Sequence, residues 1–202
     1  IDLYAIGFNP VFSQHDSTSF FHHTAPEALL DRSRLEAAIV GSARNPVRRA
    51  MARRWVRGKS VADMVRLFEE NQPADVRAHQ EKVARADGLI FVTPVFWMGL
   101  PAILKGWMER VFAYGFAYRL TERGWQGNLD GRVPLLTQAK GLIVTPTFFT
   151  EQEYDTGWRQ AMDTILCDWC LKMAGVKEAQ TVRFYAVVAA DDATRQQYLE
   201  QA

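Results

Sequence analysis

An α/β fold, with a parallel sheet covered by helices on both faces, is the architecture that this sequence predicts. Two continuous apolar runs, over residues 88–93 and 141–145, are each followed by a proline, and such runs are typical of strands buried within a parallel sheet. A third strand is expected over residues 181–189, which are rich in Val, Phe and Tyr. Helical patterns separate these segments, and this alternation favours a parallel sheet.

The composition is that of a single globular domain. The chain has 202 residues, of which 48% are hydrophobic and 23% charged, which excludes disorder and a collagen-like repeat. A formal net charge of +1 gives no reason to expect a nucleic-acid partner. No apolar run reaches the roughly 18 residues of a membrane span, and there are only two cysteines. These features favour a cytoplasmic protein without disulfides or membrane insertion.

The helices are predicted from the positions of proline and glycine and from the spacing of apolar residues. Between residues 27 and 86 the chain consists mostly of helix-forming residues, interrupted by Pro46, Gly58 and Pro73. This pattern predicts four helices, over residues 27–40, 47–57, 61–70 and 74–86. Apolar residues at helical spacing predict two more, over residues 102–112 and 158–174. Pro101 suits the start of the first, and Gly175 suits the end of the second.

The loop that follows the first strand is the most informative part of the sequence. Pro94 and Pro101 stiffen it, and between them it carries Phe96, Trp97 and Met98. Ligands of open α/β sheets bind at the carboxyl ends of the strands, where this loop is expected to lie. It could offer backbone amides and a flat apolar wall to a planar heteroaromatic ring. Equally, its aromatic residues could cap the core or fill a subunit interface.

This loop and its continuation resemble a known family. Residues 94–118, which include Lys105-Gly106-Trp107 and Glu109-Arg110-Val111-Phe112, are similar to the signature of the flavodoxin-like NAD(P)H:quinone oxidoreductases. That family includes the mammalian quinone reductases and bacterial modulators of drug activity and of potassium efflux. The similarity extends over most of residues 1–11 and 74–202. It implies a flavodoxin-like parallel sheet with helices on both faces, of which the N-terminal strand and phosphate-binding loop are expected to be missing here.

The resemblance also implies a flavin site. The isoalloxazine would be lined by residues of the first loop, namely Pro94, Val95, Phe96, Trp97 and Met98. Its polar edge would be approached by a second loop that contains Thr145, Pro146, Thr147 and Phe148. Gln80 would help to hold the cofactor, and Tyr154 would assist charge transfer to the flavin. Arg159 stands where relatives have the histidine partner of that tyrosine.

Two departures from the family pattern affect the expected mechanism. An arginine keeps its proton at any relevant pH, so Arg159 cannot shuttle one, although it could stabilise a developing flavin anion. Where the family has a Gly-Gly pair after its threonines, this chain has Phe148-Phe149, and Pro146 removes one amide donor. These departures affect the expected charge transfer through Tyr154 and Arg159. They leave the aromatic wall of the first loop unchanged.

The cysteines and most of the histidines are explained without a metal ion. Cys167 and Cys170 lie within a predicted helix, with no second cysteine pair and no adjacent histidine cluster. His15, His22 and His23 lie in a polar segment and lack a carboxylate or cysteine partner at useful spacing. We therefore expect a structural helix and a solvated loop.

A basic helical insertion is expected over about residues 25–72. Its arginines between Arg44 and Lys59 could bind phosphates, with Trp55 stacking on a base. However, Arg49, Arg53 and Arg57 are spaced four apart, which is typical of the solvated face of an amphipathic helix. The apolar residues of that helix are expected to face elsewhere, and these are Val47, Ala50, Met51 and Trp55.

Together these features predict a flavin-dependent NAD(P)H:quinone oxidoreductase. Hydride would pass from NAD(P)H to the flavin and then to a quinone or a similar flat electrophile, with FAD expected and FMN the alternative. A non-catalytic flavodoxin-like subunit that binds a partner protein is the second hypothesis. A homodimer is expected because one helix and its extension carry more apolar residues than one helix face needs. These residues are Trp107, Val111, Phe112, Tyr114, Phe116 and Tyr118.

Overall fold

The computed structural model describes residues 1–201 and contains a parallel sheet flanked by helices. The strands of the described chain are β1 Gly88–Val92, β2 Tyr118–Leu120, β3 Arg132–Pro134, β4 Lys140–Pro146 and β5 Glu178–Phe184. The central sheet has the order β1-β4-β5 and is parallel throughout, whereas β2 and β3 form a separate antiparallel pair. The prediction of an α/β fold with a parallel sheet is confirmed.

The helices lie close to their predicted positions. They are α1 Arg32–Ser42, α2 Pro46–Arg57, α3 Val61–Glu70, α4 Ala74–Arg85, α5 Ala102–Val111, α6 Glu122–Trp125, α7 Glu151–Tyr154, α8 Trp158–Asp163 and α9 Asp192–Gln201. The first helix begins at residue 32 and not at residue 27, because the Asp31 carboxylate accepts the backbone N–H groups of Ser33 and Arg34 and so fixes the start. In the described chain, no helix has both the length and the apolar character that a membrane span requires.

The predicted regular α-helix over residues 158–174 is wrong in its second half. After α8 the chain continues as a π-helix, Thr164–Leu171, and then as a single 3₁₀ turn, Lys172–Ala174. The wider turn moves later residues off the expected apolar stripe, so Ile165 and Trp169 are exposed. Both cysteines lie in the π-helix, where the Cys167 sulfur is 3.4 Å from the Thr181 hydroxyl and the Cys170 sulfur is 3.5 Å from the Met108 sulfur.

The third strand is displaced from its predicted range of 181–189. The β5 strand ends at Phe184, and Ala186 adopts a positive φ of 47°, which turns the chain out of the sheet. The backbone N–H of Ala186 donates to Phe149 O at 3.0 Å. Residues 185–189 therefore support the loop after β4 and do not extend the sheet.

The main core lies on one face of the sheet. Leu89 and Phe91 of β1 pair in register with Gly141 and Ile143 of β4. This face packs against α5 and the π-helix, whose buried residues include Leu104, Trp107, Met108, Val111, Leu166 and Leu171. On the opposite face of β1, Ile90 and Val92 are exposed by 69% and 75%. Among the described residues, β1 pairs with β4 alone, so its other edge is open.

A buried ion-pair network fixes the N-terminal segment against this core. The Arg110 guanidinium donates to Asp16 at 2.8 Å, to Asp75 at 2.6 Å and to Asn9 O at 2.7 Å. Both Arg110 and Asp16 are buried. Nearby, a Cβ added to Gly106 would lie 2.1 Å from a backbone oxygen of the N-terminal segment, so α5 can approach that segment only with glycine at this position.

Helices α1 to α3 form a second, smaller core. It consists of Leu35, Ile39, Val56, Met64, Val65 and Phe68. The apolar residues of α2 that were expected on a different face from the arginines are all exposed, and these are Val47, Ala50, Met51 and Trp55. This follows from the position of α2 at the outside of the cluster, where Val56 is its only buried residue.

Candidate functional site

A strained turn presents the aromatic residues of the first loop. Phe96 and Gly99 exchange two backbone hydrogen bonds, at 2.9 and 3.0 Å, around the two central residues Trp97 and Met98. These two residues have positive φ angles of 47° and 63°, which bulky side chains rarely adopt. Turns of this geometry usually contain Asn-Gly. The loop therefore holds a conformation that its own side chains disfavour, as binding sites often do.

The side chains of this turn make an exposed apolar surface. Trp97 is 99% exposed, and Phe96 and Met98 are each more than half exposed. Nothing in the described chain packs against the Trp97 ring, so burial within the chain does not explain its presence. An exposed apolar surface of this kind at a strand end is typical of a ligand-binding or interface site.

The second loop begins beside the first. The backbone N–H of Thr93, directly after β1, donates to Val144 O of β4 at 2.9 Å, so the two strands deliver their loops to the same edge of the sheet. Phe148 is 69% exposed and its neighbour Phe149 is 44% exposed. The structure thus brings the predicted first and second loops together. Phe149 had not been predicted, although its place next to Phe148 is a signal for it.

Unpaired backbone donors accompany these side chains. Within residues 1–201, the backbone N–H groups of Trp97, Met98 and Phe148 donate no hydrogen bond. The Thr145 hydroxyl, at the end of β4, is fully buried and also lacks a partner in the described chain. A flat ring with polar edges fits this combination of apolar surface and free N–H groups.

Tyr154, the predicted catalytic tyrosine, is a buried residue that contacts the second loop. Tyr154 is fully buried, and its hydroxyl donates to the Thr147 side-chain oxygen at 2.9 Å. Its ring stacks on Trp158 with centroids 4.1 Å apart and planes 10° from parallel. The Arg183 guanidinium carbon lies 5.6 Å from the same ring. Tyr154 therefore touches the second loop through Thr147, which is itself buried.

Arg159 lies at the surface and is paired with two acids. Its guanidinium is 3.0 Å from the Glu151 carboxylate and 2.7 Å from that of Asp155. These hydrogen bonds raise the pKa of Arg159 further above its ordinary value, so the side chain stays cationic. It also lies over the Tyr185 ring at 5.5 Å.

Gln80 is placed inside the core and not on the aromatic loops. It is buried in α4, and its side-chain amide donates to Val111 O of α5 at 3.1 Å. In this structure it joins two helices.

The apolar residues on which the dimer expectation was based are not exposed. Trp107, Val111, Phe112 and Tyr114 are all buried within the chain, because α5 packs against the sheet and Tyr114 packs against the N-terminal segment. Exposed apolar surface is found instead on the two loops described above.

A cavity of about 680 Å³ lies along the open edge of β1. Its walls are β1 itself, the N-terminal residues 1–4, and parts of α4 and α5. It shares only Pro94 with the predicted flavin residues. Few polar side chains converge in it, so we place the candidate site at the loops.

Comparison with known proteins agrees with this fold. The profile of the Flavodoxin_2 family, described as a flavodoxin-like fold, matches residues 1–202, and the chain belongs to this family. Rat NAD(P)H dehydrogenase [quinone] 1 is 32% identical over 140 residues, which are 69% of this chain and 40% of the rat protein. Human ribosyldihydronicotinamide dehydrogenase [quinone] is 43% identical over 68 residues, which are 34% of this chain and 29% of the human protein.

Among solved structures, the NAD(P)H:quinone oxidoreductase from Methanothermobacter marburgensis superposes with a TM-score of 0.64 at 25% identity. The match covers 100% of this chain and 76% of that one. The resemblance to quinone oxidoreductases is thus confirmed. The chain spans 40% of the length of the rat relative.

Proposed function

We propose that this chain belongs to a flavin-dependent NAD(P)H:quinone oxidoreductase and carries its flavin-ring site. The observation that supports this most strongly is the strained turn at the end of β1. It holds Trp97 fully exposed next to unpaired backbone N–H groups, where parallel sheets bind ligands. The relatives are named NAD(P)H dehydrogenase [quinone] and NAD(P)H:quinone oxidoreductase. The reaction that we propose for this chain is the two-electron reduction of a quinone or a similar flat electrophile.

The two loops divide the binding of the ring between them. Residues 94–98 form the apolar wall, with Trp97 and Phe96 against the face of the isoalloxazine. The N–H groups of Met98 and Phe148 donate to its polar edge. A flavin bound there supplies hydride transfer between NAD(P)H and the quinone. Both substrates are flat, so the same wall orients each of them in turn.

Further assignments of residues, cofactor, assembly and domain belong to the proposal. Thr145, Pro146 and Thr147 form the base of the second loop, and Gln80 keeps the α4–α5 pair in place beside the cofactor. The flavin is FAD, with FMN as the alternative. The enzyme is a cytoplasmic homodimer whose subunits meet at the exposed loops. The chain is one flavodoxin-like domain with a helical insertion at about residues 25–72.

Tyr154 and Arg159 are proposed to contribute to electron transfer. Tyr154 positions Thr147 through its hydroxyl. Arg159 stays cationic and offsets the charges of Glu151 and Asp155, which would otherwise disfavour an anionic flavin. Y154F and R159Q test these roles. We expect slower reduction of the flavin by NAD(P)H with unchanged flavin content. Reduction rates equal to the wild type in both variants would remove both residues from the mechanism.

The function is tested on the protein as its gene encodes it. We expect a yellow protein that oxidises NADPH or NADH when a quinone is added, and whose extracted flavin is identified by chromatography. W97A should lose about tenfold or more in flavin affinity, because stacking and buried area are lost together. W169A removes another exposed tryptophan, 58% exposed on the π-helix, and should leave flavin affinity unchanged.

Two outcomes would contradict the proposal. Full flavin occupancy and activity in W97A would show that the aromatic loop is not the site. A colourless protein that co-purifies with another protein would favour the non-catalytic subunit.

A further inference from the structure

Two histidines and a glutamate converge away from the flavin site. His22 and His23 lie in the segment before α1, and Glu69 lies near the end of α3. One ligand atom of each residue lies within 4.8 Å of the other two. The Glu69 carboxylate oxygen Oε1 is 2.8 Å from His23 Nδ1 and 3.7 Å from His22 Nε2. The carboxylate partner that sequence reasoning did not find is thus supplied by a residue 46 positions further along the chain.

We propose that His22, His23 and Glu69 bind a divalent transition-metal ion of the zinc type. Two imidazole nitrogens and one carboxylate oxygen are a common zinc ligand set, which leaves a fourth position for water. Ligand atoms around a tetrahedral zinc ion lie about 3.4 Å apart, given metal–ligand distances of about 2.0–2.1 Å. The 3.7 Å separation already lies near this value. The hydrogen bond between His23 and Glu69 has to open by about 0.6 Å, which a small side-chain rotation provides.

A chain of hydrogen bonds orients His22. The His22 Nδ1 atom is 2.9 Å from the Thr24 hydroxyl. This hydroxyl is 3.1 Å from the Tyr114 hydroxyl, which donates to Thr24 O at 3.2 Å. The same Nδ1 accepts the Thr24 backbone N–H at 3.3 Å, and these contacts turn the other ring nitrogen, Nε2, toward Glu69. Ligating histidines usually have such a partner on their second nitrogen, because it fixes the ring and its tautomer.

The backbone around the site also holds the His22 ring and the Glu69 carboxylate in place. A Cβ added to Gly115 would lie 2.8 Å from His22 Nε2 and 2.7 Å from its ring carbon Cδ2, so the ring can occupy this place only beside glycine. The His23 backbone N–H donates to Glu69 Oε1 at 3.0 Å and holds the carboxylate at the loop.

The ion would join two parts of the fold. Tyr114, against which His22 packs, is buried beside the main core, whereas α3 belongs to the smaller core. Within the smaller core, the Phe21 and Phe68 rings lie 4.9 Å apart and already join the segment that carries His22 to α3. A bound metal would therefore stabilise the folded chain and resist separation of the helical insertion.

The test uses Co²⁺ as a spectroscopic probe for the zinc site, with the metal-free protein. We expect one Co²⁺ per chain with a visible absorption band of tetrahedral type, displaced by one equivalent of Zn²⁺. Zn²⁺ should also raise the unfolding temperature. H23A and E69Q should each weaken binding at least tenfold, which is the effect usual for removing part of a metal site. Circular dichroism checks that both variants remain folded.

Two matched variants serve as controls. H15A removes an exposed histidine of the same segment, and E70Q removes the exposed acid next to Glu69, so neither should alter Co²⁺ binding. The proposal is overturned if the wild type binds Co²⁺ more weakly than about 1 mM, as an isolated surface histidine would. It is also overturned if H23A and E69Q bind as tightly as the controls. Flavin content and quinone reduction do not enter either readout, so the outcome is independent of the proposed function.

Discussion

Replacing Trp97-Met98 with Asn-Gly separates the stability of the first loop from its function. Both residues have positive φ angles in a turn that Asn-Gly adopts without strain. Because Trp97 is 99% exposed, its removal breaks no packing within the chain. Relief of left-handed strain contributes about 1–2 kcal/mol at each position. The added flexibility of a glycine in the unfolded chain costs about 0.5–1 kcal/mol. We therefore expect W97N/M98G to raise the free energy of unfolding by about 1–3 kcal/mol.

The stability that flavin adds to the protein should fall in the same variant. Flavin stabilises the folded state according to its concentration and affinity, and a tenfold loss of affinity reduces that increment by about 1.4 kcal/mol. The assay is urea unfolding followed by circular dichroism, without flavin and with a fixed excess of it. L129N, on another exposed loop, is the control and should change neither quantity appreciably.

Each half of this prediction can fail separately. If the flavin-free variant is less stable than the wild type at protein concentrations where both are monomeric, Trp97 packs against its own chain and the reasoning is wrong. If flavin adds as much to the free energy of unfolding of the variant as to that of the wild type, the turn does not contact the flavin ring.

Four further predictions concern the core, its ion pairs and the assembly. W107A should lower the free energy of unfolding by about 3–5 kcal/mol in urea titrations, because Trp107 is buried against Phe91. R110M should cost about 3–5 kcal/mol, since it leaves the buried Asp16 carboxylate without its cation. Burial raises the pKa of Asp75, but hydrogen bonding and the charge of Arg110 lower it more. The net lowering means that the stability from this pair is present above the ordinary pKa of an aspartate and is lost as the pH falls through the lowered value. When the free energy of unfolding is measured against pH, it should fall less steeply on the acid side in D75N than in the wild type. Sedimentation should give a dimer at micromolar concentration, and W97N/M98G should weaken it; a wild-type monomer would contradict the dimer.

Local signals made most of the fold predictable. The apolar runs that became β1 and β4 are closed by prolines, and the helix that follows Pro101 has a regular apolar stripe, so tertiary contacts only reinforce what each segment favours alone. The turn of the chain after Phe184 was missed, because Val and Tyr in the following residues favour a strand as strongly as those before them.

The features of the site that could not be predicted depend on long-range or unfavourable geometry. Nothing in the dipeptide Trp97-Met98 indicates a turn with positive φ, since the usual signal is Asn-Gly. The contact of Glu69 with His22 and His23 depends on how α3 packs against a distant loop, which spacing along the chain does not encode. The position of Tyr154 beneath Thr147 likewise follows from the packing of α7 and α8.

The π-helical segment has a consequence for the chemistry that the protein would meet. Quinones are electrophiles that add to thiolates, and the thiolate is the reactive form of cysteine. The chain has two cysteines, and burial raises the pKa of both Cys167 and Cys170 above the ordinary value for a thiol. At neutral pH both remain protonated, enclosed by Thr181 on one side and Met108 on the other. A quinone bound at the proposed site would therefore find neither cysteine as a reactive thiolate.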